Sequence, residues 1–271
     1  MMIKNKILAF IFIVLAIGFY SYFVEPNRLI VTNYTIQDKE LSGIKIVFAS
    51  DFHIKPHQQK RLEKIVKTIN KQTPDLVLST GDYVSGHTQE STMDPEKITE
   101  ELSKVKSKYG FYTTLGNHDG WYGPNEVQKH LENNGIKVLN NENVKLNIKG
   151  KEFYIVGIED MSTGEADLYK AIGTIDKPAI LLSHTPDIFP KVPKSLNLTL
   201  SGHTHGGQVR IPFFGPIFTA SDYHDKYAKG IIIEKDKKLI TTTGIGVSIF
   251  PIRFNCAPEV VVIEFVDEIQ I

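Results

Sequence analysis

This 271-residue chain has a single cysteine and no formal net charge, and each of these two features argues against a class of protein. The chain has a single cysteine, Cys256, so it can form neither an internal disulfide framework nor a metal site made of several thiolates. Lysine plus arginine and aspartate plus glutamate number 31 each, which gives a formal net charge of zero. Nucleic-acid-binding chains usually carry an excess of basic charge, so we expect no nucleic acid as the main partner.

Long hydrophobic runs are also rare, with one exception close to the N-terminus. Residues 7–24, ILAFIFIVLAIGFYSYFV, carry no charge and follow Lys4 and Lys6. A helix of 18 residues spans about 27 Å, which is close to the hydrocarbon thickness of a bilayer. We therefore predict a membrane anchor over residues 1–26 and a globular domain over residues 27–271. The alternatives are a cleaved signal peptide, although no Ala-x-Ala site follows the run, and a buried helix of a soluble protein.

The basic residues that flank this segment give a thin bias towards one orientation. Lys4, Lys6 and the α-amine precede it, and Arg28 and Lys39 are the nearest positive charges that follow it. Lysine and arginine are enriched on the cytoplasmic side of membrane segments, which places the N-terminus in the cytoplasm by a narrow margin. We therefore predict a single-pass N-terminal anchor with a slight lean towards an extracytoplasmic domain.

Short apolar runs alternate with amphipathic segments over most of the remaining chain. Strands are predicted at 44–49, 75–80, 111–115, 144–148, 153–158, 179–182 and 196–200, and helices at 58–72 and near 95–108. Three further strands, at 231–234, 239–243 and 260–265, are predicted to be antiparallel. Alternation of strand and helix indicates βαβ units with parallel strands. In such sheets ligands bind beyond the carboxyl ends of the strands, so we expect the polar residues there to converge.

The residues that follow these strands offer nitrogen and oxygen ligands without sulfur. They are Asp51, His53, Asp82, Asn117, His118, Asp119, His184, His203 and His205. This mixture suits manganese, iron or zinc, and it argues against copper or a structural zinc site. In the pairs Asp-x-His and His-x-His, an extended backbone would point both side chains the same way, towards one metal ion or two adjacent ions.

The clusters resemble the motifs of the calcineurin-like metallophosphoesterase family. They stand in the family's order as Asp51-Phe52-His53, Gly81-Asp82, Gly116-Asn117-His118-Asp119, His184 and Gly202-His203-Thr204-His205. One such motif would be weak evidence, but five in order over 155 residues are specific. The resemblance implies an α/β fold, namely a four-layer α/β/β/α sandwich, here preceded by one N-terminal membrane helix.

The resemblance also implies a role for each residue. One divalent ion would be held by Asp51, His53, Asp82 and His205, and the other by Asp82, Asn117, His184 and His203, with Asp82 bridging the two. His118 would contact the substrate as general acid or as a clamp on the phosphoryl oxygen. Asp119 would orient His118 and raise its pKa. The implied reaction is hydrolysis of a phosphodiester or pyrophosphate bond by a metal-bridging hydroxide.

The Gly-His-Thr-His-Gly-Gly-Gln string at 202–208 and the tail at 244–259 resemble the membrane-associated bacterial phosphodiesterase branch of the family. Some members of this branch hydrolyse UDP-diacylglucosamine, a lipid A precursor, so the resemblance implies a lipid-linked or other envelope phosphoester. Such UDP-linked precursors are made on the cytoplasmic face, which conflicts with the orientation favoured by the flanking charges. The alternatives are a protein or nucleotide phosphatase or a nuclease of the same family, and a non-catalytic scaffold on its fold.

Three features near the predicted site have two interpretations each. The aromatic stretch 206–228 either lines an acyl-chain groove or forms a loop packed on the core. Arg210 and Arg253 are candidates for contacting a second phosphate, because arginine suits bidentate phosphate contacts, but either could form a surface ion pair instead. His87 is expected to be an ordinary core or surface histidine, and Asp160 to be structural.

Overall fold

The computed structural model describes residues 2–268 as two stacked β-sheets with helices outside them. The helices are α1 (Met2–Phe19), α2 (Gln59–Lys71), α3 (Pro95–Leu102), α4 (Asn117–Tyr122), α5 (Pro124–Asn133) and α6 (Leu168–Ile172). The strands are β1 (Ile30–Gln37), β2 (Lys45–Phe48), β3 (Leu76–Ser79), β4 (Phe111–Thr113), β5 (Ile136–Val138), β6 (Glu142–Ile148), β7 (Lys151–Gly157), β8 (Ala179–Leu182), β9 (Leu198–Ser201), β10 (Arg210–Ile211), β11 (Gly215–Pro216), β12 (Gly230–Glu234), β13 (Lys237–Thr241) and β14 (Glu259–Val266). The described residues do not include Met1 or residues 269–271. The first end of the predicted segment 1–26 and the last end of the predicted segment 27–271 therefore lie outside them.

Each of the two large sheets contains six strands. The order in the first sheet is β1-β14-β2-β3-β4-β5, and the order in the second is β12-β13-β9-β8-β7-β6. Strands β2 to β5 are mutually parallel, and so are β7, β8 and β9, which confirms the βαβ organisation expected from the sequence. Strands β10 and β11 form a separate hairpin.

Apolar side chains alternate along the central strands, so that both faces of each sheet are buried. In β2, Val47 packs against the outer helices, whereas Ile46 and Phe48 pack against the second sheet. In β8, Leu182 belongs to the core between the sheets and Leu181 to the core outside the second sheet. Three apolar cores therefore separate four layers, which confirms the predicted α/β/β/α fold class.

The C-terminal strands pair differently from the antiparallel set that the sequence predicted. Strands β12 and β13 are antiparallel, but β13 lies parallel to β9. Strand β14 crosses to the first sheet, where it is parallel to β1 and antiparallel to β2. Strand β1 was not predicted. Because β14 (EVVVIEFV) has both faces buried, its apolar run indicates a strand but not the partners beside it.

Helix α1 projects from the domain with none of its side chains buried. The segment Met2–Asn27, which continues through short π and 3-10 turns, is long and apolar enough to cross a membrane by length and composition. At its base, the Ser21 carbonyl accepts the Arg253 N–H at 2.9 Å. The Glu25 carboxylate accepts the N–H groups of residues 255–256 at 2.8 Å each. The segment is therefore fixed to the domain before residue 27.

Candidate metal centre

Five polar loops meet at the carboxyl ends of β2, β3, β4, β8 and β9. They carry the seven side chains that were predicted to bind metal: Asp51, His53, Asp82, Asn117, His184, His203 and His205. All of these residues are buried except His203, which is partly exposed. The topology therefore brings together residues that are separated by as many as 154 positions in the chain.

Three of these side chains form a first group of ligand atoms. His53 Nε2 lies 3.0 Å from His205 Nε2, which lies 3.7 Å from Asp51 Oδ1. Each residue offers one ligand atom, and the three atoms lie within 4.8 Å of one another. This group could hold one divalent ion.

A second group adjoins the first, and Asp82 lies between the two. Asp82 Oδ2 lies 3.4 Å from His53 Nε2 on one side and 3.3 Å from His184 Nε2 on the other. His184 Nε2 also lies 2.9 Å from Asn117 Oδ1 and 3.2 Å from His203 Nδ1. The Asp82 carboxylate is thus placed between the two groups, as a bridging ligand would be.

The Asp51 carboxylate indicates that the cluster accommodates positive charge. Its Oδ1 accepts the His203 N–H at 2.9 Å, whereas its Oδ2 is buried without a hydrogen-bond partner among the described residues. A buried carboxylate oxygen without a donor is unfavourable unless a cation meets it. Burial, reinforced by Asp82 and opposed by His184, raises the pKa of Asp51 to about 7. The nitrogen and oxygen donors and this unpaired oxygen together fit divalent ions.

Backbone carbonyls set the orientation of two of the histidines. His53 Nδ1 lies 3.2 Å from the Val84 carbonyl, and His184 Nδ1 lies 2.8 Å from the Thr80 carbonyl. When Nδ1 donates to these oxygens, Nε2 faces the cluster as a ligand atom. Burial lowers the pKa of His53 to about 3, which favours the neutral form that ligates metal. Burial also disfavours charge on His184, but attraction to Asp82 prevails and raises the pKa of His184 to about 10.

The backbone that carries the ligands is not extended, contrary to the expectation from the Asp-x-His and His-x-His spacing. The φ angles lie in the left-handed region at Asp51 (54°), His53 (44°), Asp82 (57°), His203 (67°) and His205 (51°). Residues other than glycine rarely adopt this region, and each instance costs on the order of 1–3 kcal/mol. Sharp turns just after the strands therefore aim these side chains inward, and the concentrated strain is typical of a functional site.

Two motif glycines permit the close approach of the ligands. A Cβ atom at Gly116 would collide with the side chains of Asp82 and His184. A Cβ atom at Gly202 would collide with the Asp51 carboxylate. The glycines of the Gly-Asn-His-Asp and Gly-His-x-His motifs are therefore required by the packing of the cluster itself.

His118 lies at the rim of the cluster, partly exposed. Its ring centroid is 4.5 Å from that of His53. Its Nδ1 lies 3.0 Å from the Ser85 carbonyl, and its Nε2 lies 3.4 Å from Ser248 Oγ. Burial lowers the pKa of His118, although attraction to Asp82 opposes the shift. The ring is thus fixed through Nδ1 and exposes Nε2 to the mouth of the cluster.

The prediction that Asp119 orients His118 and raises its pKa was wrong. Backbone N–H groups take up both carboxylate oxygens of Asp119. Its Oδ2 accepts the N–H groups of Asp82 at 2.7 Å and Gly116 at 3.1 Å. Its Oδ1 accepts the N–H groups of the two residues after Asp82 at 2.9 and 3.3 Å. Asp119 therefore ties the loop of the bridging carboxylate to the start of α4, and it positions Asp82 rather than His118.

Three side chains around His118 received no functional role from the sequence. They are Ser248, His87 and Trp121. The ring centroids of His87 and Trp121 lie 5.8 and 5.2 Å from that of His118. His87 is exposed, as expected of a surface histidine, and it also neighbours the site. Ser248 lies in the tail at 244–259 that resembles the family branch, and this resemblance could have pointed to a role at the site. No local sequence pattern distinguishes His87 or Trp121.

The prediction that Arg253 contacts a phosphate was also wrong, because its side chain is fully buried. Its guanidinium donates to the carbonyls of Thr243, Gly246 and Cys256 at 2.6–3.1 Å. The Gly246 N–H in turn donates to the Asp51 carbonyl at 2.6 Å. Arg253 therefore supports the loop that carries the Asp51 ligand.

Arg210 forms the ion pair that was its alternative interpretation. Its two terminal nitrogens lie 2.8 and 3.1 Å from the Asp225 carboxylate. One of them also donates to the Gly206 carbonyl at 3.0 Å. These contacts engage the guanidinium within the loop that follows the last ligands.

We expect Arg253→Gln to lower the free energy of unfolding by on the order of 3 kcal/mol or more, because it leaves several buried carbonyls without a donor. The control Arg210→Gln removes an ion pair with an exposed partner and should change stability by less than about 1 kcal/mol. Chemical denaturation of both variants measures the difference. Unchanged stability of Arg253→Gln with a raised KM would restore the phosphate-contact interpretation.

The sequence model of the calcineurin-like phosphoesterase family matches residues 44–207, which contain all five motifs of the cluster. The match covers more than half of the chain, and the observed fold agrees with it. The chain belongs to the calcineurin-like metallophosphoesterase family. It is a metal-dependent phosphoric ester hydrolase with a candidate dimetal site.

Particular relatives resemble the chain over nearly its whole length. The metallophosphoesterase YkuE of Bacillus subtilis is 30% identical over 253 residues, which cover 90% of this chain and 87% of YkuE. The phosphodiesterase YaeI of Escherichia coli is 29% identical over 254 residues, which cover 91% and 92%. Among solved structures, the NAD nucleotidase of Haemophilus influenzae shares the fold, with a TM-score of 0.50 and 15% identity over 74% of this chain and 50% of that one.

Proposed function

We propose that the chain hydrolyses a phosphodiester with one lipid arm, at a centre of two divalent metal ions close to a membrane. The observation that carries the two-metal centre of this proposal is the Asp82 carboxylate, which lies between two groups of ligand atoms at 3.3 and 3.4 Å from a histidine of each. One ion would be held by Asp51, His53, Asp82 and His205, and the other by Asp82, Asn117, His184 and His203. When bound, such ions polarise phosphoryl oxygens and lower the pKa of water. Manganese, iron and zinc all suit these ligands.

The residues of the chain would orient the ester and move a proton. Since the Ser85 carbonyl engages Nδ1 of His118, Nε2 is the atom that would give a proton to the leaving oxygen. The negative charge of a bound phosphodiester would favour the protonated ring. Ser248, 3.4 Å from this nitrogen, would help to hold the imidazole in place.

A groove that opens beside the centre supports a diester with an apolar arm. It has a volume of about 1080 Å³, and its lining includes His203, Phe214, Ile217 and Phe218. Of the two interpretations of the stretch 206–228, the groove-lining one fits these side chains, which are exposed rather than packed on the core. The relative YaeI is named a phosphodiesterase, which agrees with a substrate that has two arms.

The proposed location follows from α1, which would anchor the chain in the membrane. From Ile7 onward its side chains are apolar on all faces, and no side chain of the helix is buried, as lipid contact requires. With the flanking charges leaning towards an extracytoplasmic domain, an envelope phosphodiester outside the cytoplasm is the proposed substrate. A domain on the cytoplasmic side would favour a UDP-linked glycolipid instead.

Hydrolysis of a substrate panel by the full chain with manganese, iron or zinc tests this proposal. The panel contains bis-p-nitrophenyl phosphate, p-nitrophenyl phosphate, and two phosphodiesters with one headgroup that differ only in carrying or lacking an acyl chain. We expect the diester to be preferred over the monoester, and the acylated compound over its matched control, by about tenfold or more, since 1.4 kcal/mol suffices for that factor. A preference for the monoester would favour the phosphatase alternative, and inactivity with all three metals would favour the scaffold.

A further inference from the structure

Two segments beside the base of α1 carry exposed apolar side chains, and we name this group the apolar collar. It consists of Phe213, Phe214, Ile217, Phe218, Ile249 and Phe250, each at least 66% exposed. Side chains of this size are usually buried, and a contiguous exposed group of them marks an interaction surface. Neither the fold nor the metal centre requires them to be exposed.

The two chain segments of the collar are joined to each other. The β10–β11 hairpin and the loop after Ser248 meet where Arg210 N–H donates to the Phe254 carbonyl at 2.9 Å. The Gln208 side-chain amide also donates to the carbonyls of Ser248 and Phe250, at 2.8 and 3.4 Å. These bonds hold both segments as one surface rather than as independent loops.

The same segments are attached to the end of the proposed membrane helix. Arg253 N–H donates to the Ser21 carbonyl, and the N–H of Asn255 donates to Glu25, so the collar loop is bonded to the turn that follows α1. Pro212, in the turn of the hairpin, lines a cavity together with Tyr20. The collar is therefore continuous with the surface from which the helix would enter a bilayer.

Basic side chains lie at the base of this helix. The exposed Arg28 donates to the Tyr20 hydroxyl at 3.3 Å, and the exposed Lys64 donates to the Asn27 carbonyl at 3.3 Å. Aromatic side chains beside basic ones are typical of protein surfaces at the level of lipid headgroups. This combination favours a lipid surface over a second copy of the chain as the occupant of the collar.

The collar also borders the opening of the metal centre. Phe214, Ile217 and Phe218 line the groove that begins at His203. On the other side of the opening, Ile249 and Phe250 directly follow Ser248, which contacts His118. A surface that touches the collar would therefore lie across the mouth of the site.

We propose that the apolar collar inserts into the membrane interface around α1 and holds the mouth of the metal centre against the lipid headgroups. The proposal rests on the membrane anchor of the proposed function, and it adds a second contact with the bilayer that is independent of α1. Residues at such an interface penetrate about 5–10 Å, to the boundary between headgroups and acyl chains. A phosphodiester with one lipid arm could then reach the centre without leaving the bilayer.

Tryptophan quenching by lipids with brominated acyl chains tests this proposal on the full chain in nanodiscs. In a Trp121→Phe background, which removes the single native tryptophan, one tryptophan is introduced at a time. Phe214→Trp and Phe250→Trp report on the collar, and Phe12→Trp reports on the anchor. Lys108→Trp is the matched control, because this exposed residue precedes β4 at the edge of the sheet opposite the metal centre. We expect both collar reporters and the anchor reporter to lose about half or more of their emission relative to unbrominated lipid, and the control to lose little.

The four reporters separate failure of the collar from failure of the anchor. Quenching of Phe12→Trp without quenching of either collar reporter would overturn the collar and leave the anchor intact. Absence of quenching at Phe12→Trp would refute the anchor, and absence of quenching at Phe12→Trp and at both collar reporters would refute the anchor and the collar together. Equal quenching of Lys108→Trp would show unspecific contact with lipid. A blue-shifted collar emission that brominated lipid does not quench would show a protein partner, such as a second copy. Either of these last two results would overturn the proposal.

Discussion

Asp82→Ala is expected to lose both metal ions and to lower diester hydrolysis by about 10⁴-fold or more. The carboxylate lies between the two groups of ligand atoms, so its removal would take a ligand from each of the two proposed ions. A metal ion contributes several kcal/mol of charge stabilisation in the transition state, and each 1.4 kcal/mol corresponds to about a tenfold change in rate. Metal analysis of the purified variant and its rate with bis-p-nitrophenyl phosphate measure the two losses.

Two further variants sharpen this test. Asp82→Asn keeps the shape of the side chain but removes the negative charge, and it should lose the ions as the alanine variant does. Asp160→Asn is the matched control: this buried carboxylate caps a neighbouring loop by accepting from Ser162 and Thr163, and it is not among the proposed ligands. We expect the control to retain two ions per chain. Two ions bound to Asp82→Ala would refute the bridging role.

His118→Ala is expected to retain both ions and the fold, and to lose about 10²–10⁴-fold in turnover, which is the usual contribution of a general acid. The imidazole lies at the rim of the cluster, where its Nε2 is exposed to a substrate and its Nδ1 is engaged by Ser85. The measurement is turnover at saturating substrate, together with metal content. His130→Ala on α5 is the control and should leave both unchanged.

The leaving group separates the two roles open to His118. A general acid matters most when the leaving oxygen is a poor leaving group, so the loss should be larger for an alkyl diester than for a p-nitrophenyl diester. A clamp on the phosphoryl oxygen would give equal losses for both substrates. Loss of metal from the variant would instead show that His118 belongs to the ligand set.

Local patterns in the sequence predicted the βαβ units and the meeting of the clustered side chains, whereas the four layers were implied by the resemblance to the family. Parallel strands place their carboxyl ends at one edge, so polar residues after each strand were bound to meet. The pairing of β14 with β1 could not be predicted, since an apolar run buried on both faces is compatible with many partners. The left-handed backbone at Asp51 and His205 was not predicted either, because aspartate and histidine are enriched in that region but adopt other backbone conformations far more often.

The misassigned side chains show a second limit of sequence reasoning. Arg210 lies in the aromatic stretch 206–228 and Arg253 in the tail at 244–259, each next to apolar residues, yet Arg253 is buried among carbonyls and Arg210 pairs with Asp225. Asp119 follows His118 directly, but the helical turn of α4 points its carboxylate at the backbone of the Asp82 loop. The same charged residue type can occur in each of these environments. Its burial and its hydrogen-bond partners depend on long-range packing, which local sequence does not reveal.

Titration of metal-free protein with manganese, while hydrolysis of bis-p-nitrophenyl phosphate is followed, tests the central claim most directly. We predict no hydrolysis above background without metal, and a rate that rises to a plateau at about two equivalents per chain, since two ions clamp the ester in sites of this kind. Full activity of the metal-free protein, or a plateau at one equivalent, would contradict a catalytic centre of two metal ions.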